Sequence, residues 1–223
     1  MIITILHLQI GLMLEFLEDI GDIIFGNKRL EAYKHFASSK DFRLKRKHNP
    51  EILPIDVLSM ELFKQNRKKR GIKGLIYKND TTLDILTQIF DLNYYNDLGK
   101  KTTTVFVFEH DDMHLPSFII SPKSSFGKIG NLFSSNEWAD VNKEFASSFD
   151  VQTSDINMMQ MMLTFQFADV MLNMKDYTVE GNGKHLAIYR KYHTTDIIDM
   201  DNIYLDGLEL MDIILHDHSG EMI

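Results

Sequence analysis

The alternation of apolar and polar residues divides the chain into strands and helices. Residues 102–122, TTTVFVFEHDDMHLPSFIISP, give the clearest strand signal, because two short apolar runs flank an acidic, histidine-containing turn. We expect consecutive strands between residues 71 and 121 to form a meander in which each strand pairs with the next. The other predicted strands cover residues 42–47, 71–77, 83–95 and 145–151, and a hairpin with the turn Gly181-Asn182-Gly183 covers 177–192.

Apolar residues at intervals of three and four predict helices near both ends of the chain. Residues 14–25 are amphipathic, and a second helix follows over 28–38. In the C-terminal half, helices are predicted over 154–172, which is rich in Met and Phe, and over 196–215. Strands and helices without a regular βαβ alternation indicate an α+β fold, with a largely antiparallel sheet of about six to seven strands packed by two C-terminal-half helices and an N-terminal helical pair.

The pattern also predicts the domain organisation. We expect an N-terminal helical segment over 1–38, one α+β domain over 39–215 and a flexible tail over 216–223. Met13 is a candidate native start, because the clean amphipathic pattern begins just after it. The apolar stretch before it is too short to span a bilayer and lacks the features of a signal peptide.

Composition narrows the function classes. The chain contains no Cys, which excludes disulfides, zinc–thiolate sites and thiol nucleophiles and agrees with a reducing cytoplasm. The net charge is −8, yet residues 41–78 carry 11 Lys and Arg against 4 Asp and Glu. This contrast predicts either a solvated basic face or a surface for anionic lipid, and no nucleic-acid partner, because aromatic residues are few there. The candidate residues are Arg43, Lys45, Arg46, Lys47, Arg67, Lys68, Lys69 and Arg70.

The turn EHDDMH is a weak candidate for a metal site. It places His110, Asp112 and His114 within five residues, and imidazole and carboxylate groups suit Zn, Mn or Fe(II). A second cluster, residues 216–218, would have to meet it in space. The spacing fits no metal motif, so a polar hairpin tip is the alternative, and no cofactor is expected.

Four methionines, Met158, Met159, Met161 and Met162, lie within five residues of the predicted helix 154–172. Four side chains so spaced cannot share one face of a helix. We therefore expect some of them to pack in the core and others to contact a protein partner or a second copy of the chain. The N-terminal helix is a second candidate for such a contact.

Four segments resemble a family of bacterial proteins of unknown function. They are YKHFASSKDF at 33–42, TTTVFVFE with LPSFIISP, NKEFASSFDVQTSD at 142–155, and VEGNGKHLAIYR at 179–190. The resemblance implies a soluble α+β domain, which in other members often follows transmembrane helices. It implies no catalytic residues.

Three functions follow from these features. The first is a non-enzymatic cytoplasmic binding or scaffold domain. The second is a peripheral membrane protein that binds anionic lipid through the N-terminal helix and the basic segment 43–73. The third, of another class, is a metal-dependent hydrolase that uses the EHDDMH turn.

Overall fold

The computed structural model describes residues 28–45, 53, 55–64, 70–96, 99–123, 138 and 140–217. The strands are β1 (Arg43–Leu44), β2 (Arg70–Asp80), β3 (Ile85–Asn96), β4 (Gly99–Glu109), β5 (Leu115–Pro122), β6 (Phe149–Thr153), β7 (Thr178–Gly183) and β8 (His185–Tyr189). The helices are α1 (28–40), α2 (Ile55–Leu58), α3 (Glu61–Lys64), α4 (Lys143–Ser148), α5 (Ile156–Met162), α6 (Phe165–Asn173) and α7 (Ile197–Asp217).

The eight strands form one antiparallel sheet in the order β1-β2-β3-β4-β8-β7-β5-β6. The α+β class and the antiparallel sheet predicted from the sequence are confirmed, with eight strands within the described residues. The meander prediction is right for β2, β3 and β4 but wrong for β5. The hairpin of β7 and β8 lies between β4 and β5, so the two strands of the EHDDMH stretch are not hydrogen-bonded neighbours.

Side chains alternate between two cores on opposite faces of the sheet. Along β4, Phe106 and Phe108 pack in the first core, whereas Val105 and Val107 pack in the second. We call these sides the first face and the second face. Helices α1, α4, α5, α6 and α7 contribute to the first core, and the short helices α2 and α3 contribute to the second.

Two boundaries differ from the predicted elements because side chains cap the backbone there. The predicted strand 145–151 is helix α4 followed by β6, since Asn142 accepts hydrogen bonds from the N–H groups of Glu144 and Phe145 and so starts a helix. The predicted helix 154–172 is two helices, because Thr164 accepts from the N–H of Phe167 and starts α6 anew.

Helix α1 belongs to the main body of the protein, although its residues up to 38 fall in the predicted N-terminal segment. Tyr33 and Phe36 are buried in the first core. The helix ends at Asp41, which has a φ of 59°, and the N–H of Phe42 bonds to the carbonyl of Ala37 at 2.9 Å. This is the six-to-one bond of a Schellman motif. The predicted helix 14–25 lies outside the described residues.

A partly buried ion pair joins the start of α1 to the sheet. The Arg29 guanidinium donates to both carboxylate oxygens of Asp91 on β3, at 2.9 and 3.1 Å, and to the hydroxyl of Thr104 on β4 at 2.8 Å. Tyr33 and Thr104 each donate a further hydrogen bond to Asp91 at 2.8 Å. Burial lowers the pKa of Arg29, but Asp91 and Tyr33 together raise it above its ordinary value, so the guanidinium stays charged.

Candidate functional site

The second face carries a buried carboxyl group where α3 begins. Glu180 lies in β7, next to Val179, which packs in the first core. Its carboxyl oxygens accept hydrogen bonds from the N–H groups of Glu61 at 2.6 Å and Leu62 at 3.0 Å. The hydroxyl of Tyr189 on β8 donates a third. These bonds connect α3 to two strands of the sheet through one side chain.

Burial and, to a smaller extent, the nearby charge of Glu61 raise the pKa of Glu180, whereas the bonds from Tyr189, Leu62 and Glu61 lower it, and together these effects give a pKa of about 7. The carboxyl group therefore changes its charge close to neutral pH. An ionisable group that is shifted in this way by burial and lies beside a cleft is a candidate functional group.

A cleft of about 310 Å³ lies beside Glu180. This volume is at the lower end of the range of about 300–1,000 Å³ that is typical of small-molecule sites. Among the described residues, the second core includes no side chain of β5 or β6, and the cleft lies over these two strands. Its lining consists of Glu61, Lys64, Ser117, Phe118, Ile119, Gln152, Thr153, Ser154 and Glu180.

Helices α2 and α3 are held on the second face by apolar packing and a second polar contact. Val57, Leu62 and Phe63 are fully buried there. The side-chain amide of Asn182, two residues after Glu180, donates to the hydroxyl of Ser59 at 2.6 Å. The helix pair is thus fixed to β7 at both ends of the segment that joins α2 to α3.

An apolar surface lies on the opposite side of the sheet, at the junction of α5 and α6. The side chains of Met161 and Phe165 are 54% and 62% exposed. Met159 and Met162 of the same methionine cluster are buried in the first core, and Met158 is partly buried. We call Met161 and Phe165 the α5–α6 surface.

The EHDDMH turn lies between β4 and β5. The N–H of Asp112 donates to the ring of His110 at 3.1 Å, Asp112 and His114 are exposed, and Lys184 pairs with Asp111 at 2.7 Å. Within the described ranges, no three His, Asp or Glu residues gather in a way that could hold a metal ion. His216 contacts Asp212 on its own helix, and residue 218 lies outside the described residues. The metal site gains no support and stays a prediction.

The basic segment is only partly described. Arg43 and Lys45 are exposed beside β1, and Arg70 begins β2. The remaining candidates, Arg46, Lys47, Arg67, Lys68 and Lys69, lie outside the described residues. Contact with an anionic surface stays a prediction. No helix in the described part of the chain is long and apolar enough to cross a membrane.

The architecture defines the class of the protein as an α+β domain with one antiparallel sheet. No family model matches the chain, and no curated protein matches it. Among solved structures, the chain is similar to the crystal structure of the mycobacterial trehalose monomycolate transport factor A, TtfA, with a TM-score of 0.52 and 10% sequence identity. The match covers 83% of this chain and 93% of that chain. At this identity, the similarity concerns the fold alone.

Sequence reasoning did not identify Glu180. It precedes the turn of the β7–β8 hairpin, and an acidic residue that alternates with apolar ones in a strand normally faces solvent. The residues that bury it, Leu62 and Tyr189, are 118 and 9 positions away. The sequence carries no signal for this site, because the burial of Glu180 depends on the position of α3 over β7.

Proposed function

We propose that this protein is a non-enzymatic binding or scaffold domain that associates with a second copy of itself through the α5–α6 surface. The observation that carries the proposal is the exposure of Met161 and Phe165, which are four positions apart in sequence, at a corner between two helices whose other apolar residues are buried or partly buried. Large exposed apolar side chains that cluster in this way are typical of contact sites.

The energetic gain from covering this surface is modest. Burying a large apolar side chain completely contributes about 1.5–3 kcal/mol, and Met161 and Phe165 are already partly buried. Methionine also adapts its shape to different partners. These properties support a reversible contact rather than a permanent one.

The charge distribution supports a second copy as the occupant. In a two-fold symmetric contact, each residue approaches its own copy or a close neighbour, so charged residues would repel each other. Helix α5, INMMQMM, has no charged residue, and α6, FQFADVMLN, has only Asp169. The whole chain has a net charge of −8, which disfavours most other self-contacts. Two copies of the chain that meet at the α5–α6 surface therefore avoid the charge repulsion expected at more acidic parts of the protein.

Sedimentation velocity tests the proposal. The full chain, measured from about 5 to 500 µM, is expected to show a concentration-dependent dimer, and Phe165→Glu is expected to remain a monomer because it places two like charges at the contact. Ile198→Glu is the matched control, since Ile198 is 80% exposed on α7, outside the α5–α6 surface. A wild-type chain that stays monomeric, or a dimer that loses stability equally in both variants, would contradict the proposal.

Two broader statements remain proposals. The lack of cysteine supports a cytoplasmic location, and the four segments quoted above support membership of the bacterial family that they resemble. Neither is needed for the self-association test.

A further inference from the structure

The cleft beside Glu180, which we call the Glu180 cleft, is lined mainly by polar and charged side chains. Helix α3 contributes Glu61 and Lys64, strand β7 contributes Glu180, and residues 152–154 contribute an amide and two hydroxyl groups. At about 310 Å³, the cleft is at the lower end of the sizes that are typical of small-molecule sites. Its size and its lining therefore suit a small, polar ligand.

The three ionisable side chains of the Glu180 cleft form no salt bridge within the part of the chain that the structure describes. Lys64 is exposed, Glu61 is partly exposed, and Glu180 is buried with hydrogen bonds from neutral donors only. Glu61 lies close enough to Glu180 to raise the pKa of its carboxyl group. Two carboxylates so close to each other are stabilised by a cation between them.

Glu180 retains the capacity to accept one more hydrogen bond. A carboxylate accepts about four hydrogen bonds, and the N–H groups of Glu61 and Leu62 and the hydroxyl of Tyr189 supply three. These donors favour the ionised form of Glu180, which burial opposes. An ammonium group in the cleft would donate the fourth bond and also supply the positive charge that a buried carboxylate requires.

We infer that the Glu180 cleft binds a small zwitterion of the class of free α-amino acids, whose ammonium group lies between Glu61 and Glu180 and whose carboxylate pairs with Lys64. Glu61 and Lys64 are the first and last residues of α3. Their spacing of three positions places their Cβ atoms about 5–6 Å apart on the same side of the helix. The ligand must therefore carry its two opposite charges only a few atoms apart, as an α-amino acid does.

The charge of Lys64 also separates this class of ligand from simpler cations. A metal ion or an amine without a carboxylate would be repelled by Lys64, and within the described ranges no three His, Asp or Glu residues gather to hold a metal ion. The inference goes beyond self-association and does not depend on the α5–α6 surface, which belongs to the first face.

The wall of the cleft formed by β5 and β6 is held by hydrogen bonds within the chain. The N–H of Asp155 donates to the hydroxyl of Thr153 at 3.1 Å, and the N–H of Ser117 donates to the hydroxyl of Ser154 at 3.1 Å. A wall that is ordered in this way lowers the entropy cost of binding. The side-chain amide of Gln152, which is partly exposed, supplies both a donor and an acceptor at this wall.

A backbone-amide NMR titration of the full chain tests the inference with three probes that have the same number of carbon atoms. L-2-Aminobutyrate carries both charges, butylamine carries only the ammonium group, and butyrate carries only the carboxylate. L-2-Aminobutyrate is expected to give saturable shifts at residues 61–64, 152–154 and 180. It should bind at least about tenfold more tightly than either single-charge probe, because each of them lacks one charge-assisted contact.

Three variants and a matched control locate the ligand. Glu61→Gln and Glu180→Gln are each expected to weaken the binding of L-2-aminobutyrate by about tenfold or more. Lys64→Gln should abolish the preference for L-2-aminobutyrate over butylamine. Glu144→Gln removes the same charge from an exposed position on α4 and should leave the affinity unchanged. If Glu180→Gln does not fold, the variants at Glu61 and Lys64 decide the test, because both side chains are at least partly exposed.

Three results would overturn the inference. The first is the absence of saturable shifts with L-2-aminobutyrate. The second is an equal affinity of the wild-type chain for L-2-aminobutyrate and butylamine. The third is a loss of affinity in Glu144→Gln as large as that in Glu61→Gln, since the effect would then come from net charge rather than from the cleft.

Discussion

Among the described residues, each face of the sheet buries one carboxyl group, and the two faces do so in different ways. On the first face, Asp91 lies beneath the start of α1 and is paired with the Arg29 guanidinium. On the second face, Glu180 lies beneath α3 and receives hydrogen bonds from two backbone N–H groups and a tyrosine, with no salt bridge among the described residues. The same kind of group is therefore paired with a cation on one face and held by neutral hydrogen-bond donors on the other.

This difference matches the helices that cover each face. In the part of the chain that the structure describes, the first face has a thick layer that includes the 21-residue helix α7, whereas the second is covered by two helices of four residues. The ion pair on the first face joins α1 to β3, whereas the hydrogen bonds of Glu180 join α3 to β7.

The largest effect is expected from removing the cation on the first face. Arg29→Leu leaves the Asp91 carboxylate buried without its partner, and breaking a buried pair in this way typically costs about 3–5 kcal/mol of stability. Urea unfolding of the wild-type chain and of Arg29→Leu measures this loss.

Lys34→Leu is the control for Arg29→Leu. Lys34 lies on the same helix but pairs with Glu31 at the surface, so its loss should change stability by less than about 1 kcal/mol. Equal losses in the two variants would show that the buried pair has no special role, and the contrast between the two faces would then be wrong.

The sequence predicted the class of fold because that depends on local periodicity. The hairpin of β7 and β8, the meander of β2 to β4 and the helix that became α7 all follow from alternation or from spacing of three and four. The pairing of β4 with β8 could not be predicted in the same way. It joins residues about 80 positions apart, such as Val105 and Tyr189, and depends on which hairpin edge is available in three dimensions.

The site was less predictable than the fold for a related reason. Asp91 stands out in the sequence, since it interrupts the apolar run of β3, and a buried acid needs a partner. Its partner Arg29 is 62 positions away and could not be identified. Glu180 did not stand out at all. The methionine cluster gave a partial signal, because its spacing required that some of its members be exposed, and Met161 is.

An intermediate effect is expected where α7 approaches the sheet. A Cβ atom added at Gly207 would lie 2.2 Å from Cζ of Phe108, whose ring is fully buried on the first face. Gly207→Ala should therefore destabilise the protein by about 1–3 kcal/mol through overpacking. Gly71→Ala is the control, because nothing lies within 4 Å of its added Cβ. If the midpoint of thermal unfolding falls equally in Gly207→Ala and Gly71→Ala, the close approach of α7 to the sheet is contradicted.

The smallest effect concerns the end of α1, the helix whose start is held by the ion pair. Asp41 adopts a φ of 59°, a left-handed conformation that is strained for most residues with a Cβ atom. Glycine adopts it without strain, so Asp41→Gly should stabilise the protein by about 0.5–1 kcal/mol, even though glycine loses more entropy on folding. Asp41→Ala keeps the Cβ and loses the tolerance of aspartate for this conformation, so it should destabilise. The midpoint of thermal unfolding should therefore rise in Asp41→Gly and fall in Asp41→Ala. A shift in the same direction in both variants would mean that the left-handed backbone at residue 41 does not limit stability.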